Sequence, residues 1–141
     1  MKKIIALLFA VVTAFAFSSC GKDDDKKDDS YSATVITLDA TNICADSACL
    51  NAKIIYRHGA DCTAEVGICV NSEPSCSYDN CITASRKEVN ELEGTMELHD
   101  VYKHLSTSAE KFYYCAYFRV MSGDKNEFVY GDVKSYAIPQ R

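Results

Sequence analysis

Phe112-Tyr113-Tyr114-Cys115-Ala116-Tyr117-Phe118-Arg119 is the stretch that decides the fold. Phe112, Tyr114, Ala116 and Phe118 fall on one side of an extended chain, and Tyr113, Cys115, Tyr117 and Arg119 on the other. A period of two, rich in aromatic residues, predicts a half-buried antiparallel strand. The same alternation returns upstream. Ala48, Leu50, Ala52, Ile54 and Tyr56 share one face there, and Ala64, Val66, Ile68 and Val70 share another. Shorter strands are expected at Thr34–Leu38, Ile82–Arg86, Thr95–Val101 and Phe128–Tyr130. His58-Gly59-Ala60-Asp61, Asn71-Ser72-Glu73-Pro74-Ser75 and Ser122-Gly123-Asp124-Lys125-Asn126 supply turns between them. The helical pattern around Ser85–Leu92 is too weak to set against this. The expectation is a single all-β domain: an antiparallel sandwich of about seven strands over residues 32–141.

The bulk properties agree with one small exported domain. The chain has 141 residues, room for one core and hardly two. Its net charge of −5 speaks against a nucleic-acid partner. A disordered tail, a coiled coil and a polytopic membrane protein are all disfavoured. The unusual number is eight cysteines, with no tryptophan.

The N-terminus reads as an address. Lys2 and Lys3 precede an apolar run from Ile4 to Phe17, broken only by Thr13, and Ser18-Ser19-Cys20-Gly21 follows. This is the pattern of a cleaved secretory signal over residues 1–19, and the run is shorter than the roughly 20 residues a membrane span needs. Phe17-Ser18-Ser19-Cys20 resembles a bacterial lipobox, with Phe17 in place of the usual Leu. The resemblance implies cleavage before Cys20 and acylation of that residue, and two acyl chains suffice for stable membrane anchoring. Loss of Lys2 and Lys3 with the signal shifts the net charge from −5 to −7. Residues 20–31 then form an acidic tether without apolar side chains before Tyr31. Within it Lys22, Asp23, Asp24 and Asp25 resemble the export signal of surface-displayed lipoproteins in Gram-negative gut anaerobes. The expected location is the outer membrane, lipid-anchored and facing outward.

The domain itself resembles the fibronectin type III-like and Ig-like domains of such surface lipoproteins. Four motifs carry the likeness in order: Ala48-Cys49-Leu50-Asn51-Ala52, Gly67-Ile68-Cys69, Phe112-Tyr113-Tyr114-Cys115-Ala116-Tyr117 and Tyr130-Gly131-Asp132-Val133-Lys134-Ser135-Tyr136. Leu105-Ser106-Thr107-Ser108 lacks the proline the family carries before its tyrosine-rich strand. The resemblance implies an Ig-like sandwich that binds through loops or faces.

In an exported chain the seven cysteines beyond Cys20 are expected mainly in structural disulfides. Strand parity puts Cys69 and Cys115 on outward positions of neighbouring strands, a bridge worth about 4 kcal/mol in the entropic description. Cys76 with Cys81, and Cys44 with Cys49, span four-residue gaps and form candidate short bridges worth about 2 kcal/mol each. Cys62 has inward parity and is the candidate odd thiol. The Cys spacings are not those of a structural zinc site, so no metal and no cofactor are expected.

Catalytic motifs do not emerge. His58, His99 and His104 sit in no nucleophile pattern, and Glu88, Glu91 and Glu93 crowd one connecting stretch rather than flanking a cleft. No phosphate loop or hydrolase elbow is present. Asp46-Ser47-Ala48 matches the short O-glycosylation sequon of the same anaerobes, a pattern common by chance. Outward Tyr113 and Tyr117 beside Arg119 offer a candidate binding face, although cross-strand stiffening explains such tyrosines as well. The functional expectation is a monomeric, non-catalytic adhesion or binding module for a protein or glycan ligand. The competing expectations are a structural envelope lipoprotein facing the periplasm and an accessory glycan binder of an uptake system.

Overall fold

The structure, a computed structural model, describes residues 29–104 and 109–139. Cys20 and the run Lys22–Asp25 lie outside the described residues. Among the described residues nine strands follow in order: β1 (Tyr31–Thr41), β2 (Ser47–His58), β3 (Thr63–Asn71), β4 (Thr83–Ala84), β5 (Lys87–Val89), β6 (Glu93–Lys103), β7 (Lys111–Ser122), β8 (Lys125–Tyr130) and β9 (Lys134–Ala137). No helix occurs among the described residues, and so none long and apolar enough to cross a membrane.

Alternation sorts these strands into two antiparallel sheets. β1, β2 and β6 form one in that order; β4, β3, β7 and β8 form the other, with β5 also on β3 and β9 also on β7. The inward residues meet in one core: Leu50, Ile54 and Tyr56 from β2, Leu98 from β6, Val66 and Ile68 from β3, and Phe112, Tyr114 and Phe118 from β7. Ala48, Ala52, Ala64 and Ala116 stand among these large side chains and let the two layers interdigitate. The fold is an all-β sandwich.

Two of the expected strands differ in extent, and both differences have a physical cause. The strand expected over Ile82–Arg86 is reduced to β4 at Thr83–Ala84, and pairing with β3 resumes beyond it in β5 at Lys87–Val89. Ser85 takes over part of the ladder with its side chain: Ile68 N–H donates to Ser85 Oγ at 3.0 Å, while Ser85 N–H donates to Ile68 C=O at 3.0 Å. The same hydroxyl donates to Asp100 Oδ2 of β6 at 2.6 Å, tying the edges of the two sheets together.

The strand expected over Phe128–Tyr130 lies whole within β8, and a further strand, β9, follows once the chain passes Gly131, where β1 leans onto β7. Ala116 N–H donates to Thr37 Oγ1 at 3.1 Å and Gly131 N–H to Ala116 C=O at 3.0 Å. A Cβ on Gly131 would lie 2.6 Å from Thr37 Oγ1 and 2.9 Å from Val35 O, so only glycine admits this approach. Tyr114, fully buried, adds a bond from its hydroxyl to Leu38 C=O at 2.6 Å. The β7–β8 hairpin closes over Gly123-Asp124, with Gly123 at φ 60°.

Asn51 organises the far end of β1. Its amide donates to Asp39 C=O at 2.9 Å and Thr41 Oγ1 at 3.0 Å, bracing the irregularity between Leu38 and Thr41. Asn42, at φ 48°, completes that turn.

Candidate functional site: a roofed sheet face

The outer face of the second sheet is built in two layers. Register sets the lower one. Cys69 stands opposite Cys115; Gly67 and Tyr130 flank Tyr117; Glu65 and Phe128 flank Arg119. These residues alternate with the core side chains of the same strands and point away from them. Residues 72–82 then fold back over this layer and form a roof.

Asn71 starts the roof by donating to Ser75 C=O at 2.9 Å and Asn80 C=O at 3.0 Å. Ser77 and Asn80 exchange backbone bonds across its tip, and Ile82 N–H returns to Val70 C=O at 2.7 Å. Cys76, Tyr78 and Cys81 point down and pack on Cys69, Cys115 and Tyr117 in a second, small apolar cluster.

This roof corrects one expectation. Tyr117 has the outward parity read from the sequence, yet it is fully buried, because Tyr78 lies edge-on to it at 5.3 Å between ring centroids. Its hydroxyl donates to Ser85 C=O at 2.9 Å and approaches Glu65 Oε2 at 3.3 Å. Burial, then the Glu65 charge, pushes that phenol far above the usual tyrosine range. Gly67 makes the burial possible, since a Cβ there would lie 2.0 Å from Ser85 O and 2.8 Å from the Tyr117 ring. Tyr117 therefore belongs to the interior of the face and not to its contact surface.

The other two residues of the expected strip are placed differently. Tyr113 is half-buried with Lys111 Nζ 5.5 Å above its ring. Arg119 is held on every side. It donates to Glu65 at 3.2 Å, to Asn126 at 2.7 Å and to the Tyr78 hydroxyl at 3.1 Å, with its guanidinium over Tyr78 at 5.0 Å and Phe128 at 5.6 Å. The Arg119–Glu65 pair is largely sheltered, with side chains 18% and 11% exposed.

The accessible rings are others. Phe128 stacks on Tyr130 at 5.5 Å with 5° between planes, Tyr78 meets Phe128 at 5.1 Å, and the Tyr130 hydroxyl accepts from Tyr78 N–H at 3.0 Å. Arg86 adds a second guanidinium 5.3 Å from the Tyr78 ring centre. Phe128 and Tyr130 carried a signal, two aromatic residues at i and i+2 on a short strand. Tyr78 carried none, because nothing local says where a loop tyrosine lands.

The face offers stacking area, hydroxyls and positive charge, but no ready nucleophile. The Cys76 thiol is pushed up by its bond to Cys115 and by burial. Cys115 is pushed up to about 12, chiefly by its bond to Cys69, partly offset by Cys76. Burial raises Cys81. A thiol must ionise to attack, and these remain protonated at neutral pH.

The remaining sequence candidates are scattered. Cys44, exposed, donates to Asn42 C=O at 3.5 Å, and Cys49 to Asn51 Oδ1 at 3.5 Å. Cys62 is buried in the main core. Glu88, Glu91 and Glu93 are exposed, the last paired with Arg57 at 3.7 Å. Ser47 of the glycosylation sequon is half-buried where β2 opens.

The histidines occupy three separate settings. His58 is buried with Nδ1 3.0 Å from Gly59 O, and the exposed His99 bonds Asn51 Oδ1 at 2.8 Å. His104 is buried against Phe112 and Tyr136, with neither ring nitrogen hydrogen-bonded among the described residues, and burial lowers its pKa. Among the described residues, no group of three or more His, Cys, Asp or Glu is arranged to hold a metal ion.

No family model matches the chain, and no curated protein does. Among solved structures the chain is similar to one titled "putative beta-galactosidase" from Bacteroides fragilis, at 12% identity and a TM-score of 0.42. The alignment covers 74% of this chain and 16% of that one.

Proposed function

We propose that the chain is a lipid-anchored, non-catalytic binding or adhesion domain. In this reading it is displayed from the outer membrane and contacts its ligand through Tyr78, Phe128, Tyr130 and Arg86. The observation that carries the binding role is the organisation of that face. An exposed ring, Tyr130, and two half-buried ones, Tyr78 and Phe128, stand with the Arg86 guanidinium on a sheet whose supporting polar groups, Arg119 above all, are already engaged within the protein. Such a surface binds without rearranging. Flat rings with hydroxyls suit a sugar ring or an aromatic or acidic protein side chain, since one side chain supplies both area and a polar tip.

The finer fold assignment belongs to the same reading. With β4 and β5 taken as one divided strand and β8 and β9 as another, seven strands remain. The first, second and fifth then face the third, fourth, sixth and seventh, the partition of an Ig-like or fibronectin type III-like sandwich. The anchor and the outward location rest on Phe17-Ser18-Ser19-Cys20 and on Lys22–Asp25.

Protease shaving tests the display. Treatment of intact cells removes the domain under this reading, whereas protection until lysis assigns it to the periplasmic side as a structural lipoprotein. A screen of the full chain against matrix proteins and polysaccharides tests the binding, and a blank screen counts against it.

A further inference from the structure

Four of the seven cysteines of the described residues converge on one spot. Cys69 and Cys115 come from facing positions of β3 and β7, and Cys76 and Cys81 come down from the roof onto them. Cys76 Sγ lies 3.3 Å from Cys69 O and 3.9 Å from Tyr113 O, and Cys115 Sγ lies 3.4 Å from Cys76 O. Cys81 Sγ lies 3.4 Å from Tyr78 O. Cys115 Sγ therefore sits against Cys76, and Cys69 and Cys81 complete the same cluster.

Four thiols allow three complete pairings. Because Ile68 bonds Ser85 with its backbone, the facing residues Cys69 and Cys115 are a backbone-bonded pair, the kind that holds its side chains further apart. With that pair set aside, the contact of Cys115 Sγ on residue 76 selects Cys76 with Cys115 and leaves Cys69 for Cys81. We propose that this cluster is an oxidation site that closes as Cys69–Cys81 and Cys76–Cys115, two bridges that fasten both ends of the roof to the sheet beneath.

Each bridge forms by thiol–disulfide exchange with a disulfide donor. Two protein thiols give up two electrons and two protons, one S–S bond forms in the protein, and the donor's S–S bond is reduced to two thiols. The thiols are sheltered once the roof is down, so exchange belongs to the folding chain, before Tyr78 covers Tyr117. The finished bridges are equally sheltered from reductant. A cross-linked roof fixes Tyr78, and with it the Tyr130 hydroxyl and the Arg119 guanidinium that bond it. The proposal rests on the export reading for its disulfide donor, and fractionating the cells alongside the trapping separates a failure of export from a failure to close.

The test is thiol trapping of the full chain produced in an exporting bacterial host. Cells are quenched with N-ethylmaleimide before lysis, and the label is placed by tandem mass spectrometry. In the wild type all four thiols escape label, and fragmentation of the linked peptides joins 69 to 81 and 76 to 115. In Cys81→Ser the label appears on Cys69; in Cys115→Ser it appears on Cys76. Label on Cys76 in Cys81→Ser and on Cys69 in Cys115→Ser would show the other pairing and overturn the proposal. Full labelling of the four wild-type thiols would overturn it too. The wild-type fragmentation gives the pairing even if a variant fails to fold.

Discussion

The outer faces of the two sheets start from the same alternation and end differently. On the first sheet most outward residues stay outside. Ile36, Leu38, Ile55 and Val101 are exposed there, interspersed with Lys53, Glu97 and His99 across the register of β1, β2 and β6. Scattered apolar side chains of this kind are ordinary surface. On the second sheet the outward Cys69, Cys115 and Tyr117 form a small core of their own, because residues 72–82 roof them. Parity assigns a side of the sheet. Whether that side meets water is decided by what the next loop does.

The contrast is sharpest at single side chains. Tyr117→Ala empties a fully buried site and is expected to cost about 4 kcal/mol, whereas Ile55→Ala, at 45% exposure, is expected to cost about 1 kcal/mol or less. Urea unfolding of both variants checks this. Equal losses would mean that the roof does not cover Tyr117.

The glycines offer a second pair. Gly67→Ala drives a methyl into Ser85 O and the Tyr117 ring and is expected to destabilise by about 3 kcal/mol. Gly94→Ala, on the first sheet, meets nothing nearer than the Tyr56 hydroxyl at 3.4 Å, and is expected to be neutral within about 0.5 kcal/mol. Thermal unfolding of the two proteins separates them, and a tolerated Gly67→Ala would contradict the close approach of Ser85 and Tyr117.

Ion pairs give a smaller difference of the same sign. Arg119→Leu strips Glu65 of a sheltered partner and is expected to cost about 2 kcal/mol. Arg57→Leu breaks a pair whose side chains are 70% and 73% exposed, an interaction worth about 0.5 kcal/mol. Adding salt should shift the second protein's reference stability more than the first's, since exposed pairs are screened.

The smallest effect at neutral pH comes from the core between the faces. His104 has a folded-state pKa below its ordinary 6.5, so below that pH the unfolded chain binds a proton that the folded chain resists. Its contribution is intact above pH 6.5 and is lost as pH falls toward the depressed folded value. Measured from pH 7.5 to 5, His104→Phe should lose stability less steeply than the parent. Identical slopes would remove His104 as a source of acid sensitivity.

Much of the fold is legible in particular residues. Ala48 to Tyr56, Ala64 to Val70 and Phe112 to Phe118 alternate without interruption, and all three became central strands of the sandwich. What stayed hidden involves partners distant in sequence. The division of β4 from β5 depends on Ser85 finding Asp100, and that of β8 from β9 on Thr37 reaching Ala116. The site was legible only in part. Cys69 facing Cys115 and the outward side of Tyr117 follow from parity, but the descent of Tyr78, Cys76 and Cys81 onto them depends on Asn71 gathering the loop through two backbone carbonyls. A periodicity of two carries no information about a loop folded back over its own sheet.

The roofed face, not the bare one, is the surface we propose for ligand contact. The most direct measurement is adhesion of cells displaying the full chain to immobilised matrix proteins and polysaccharides, comparing wild type with Tyr130→Ala and Ile55→Ala. Retention on at least one surface is expected, lowered about tenfold or more by Tyr130→Ala, the scale of a lost aromatic anchor, and unchanged by Ile55→Ala. Retention that survives Tyr130→Ala and falls with Ile55→Ala would place the contact on the first sheet instead.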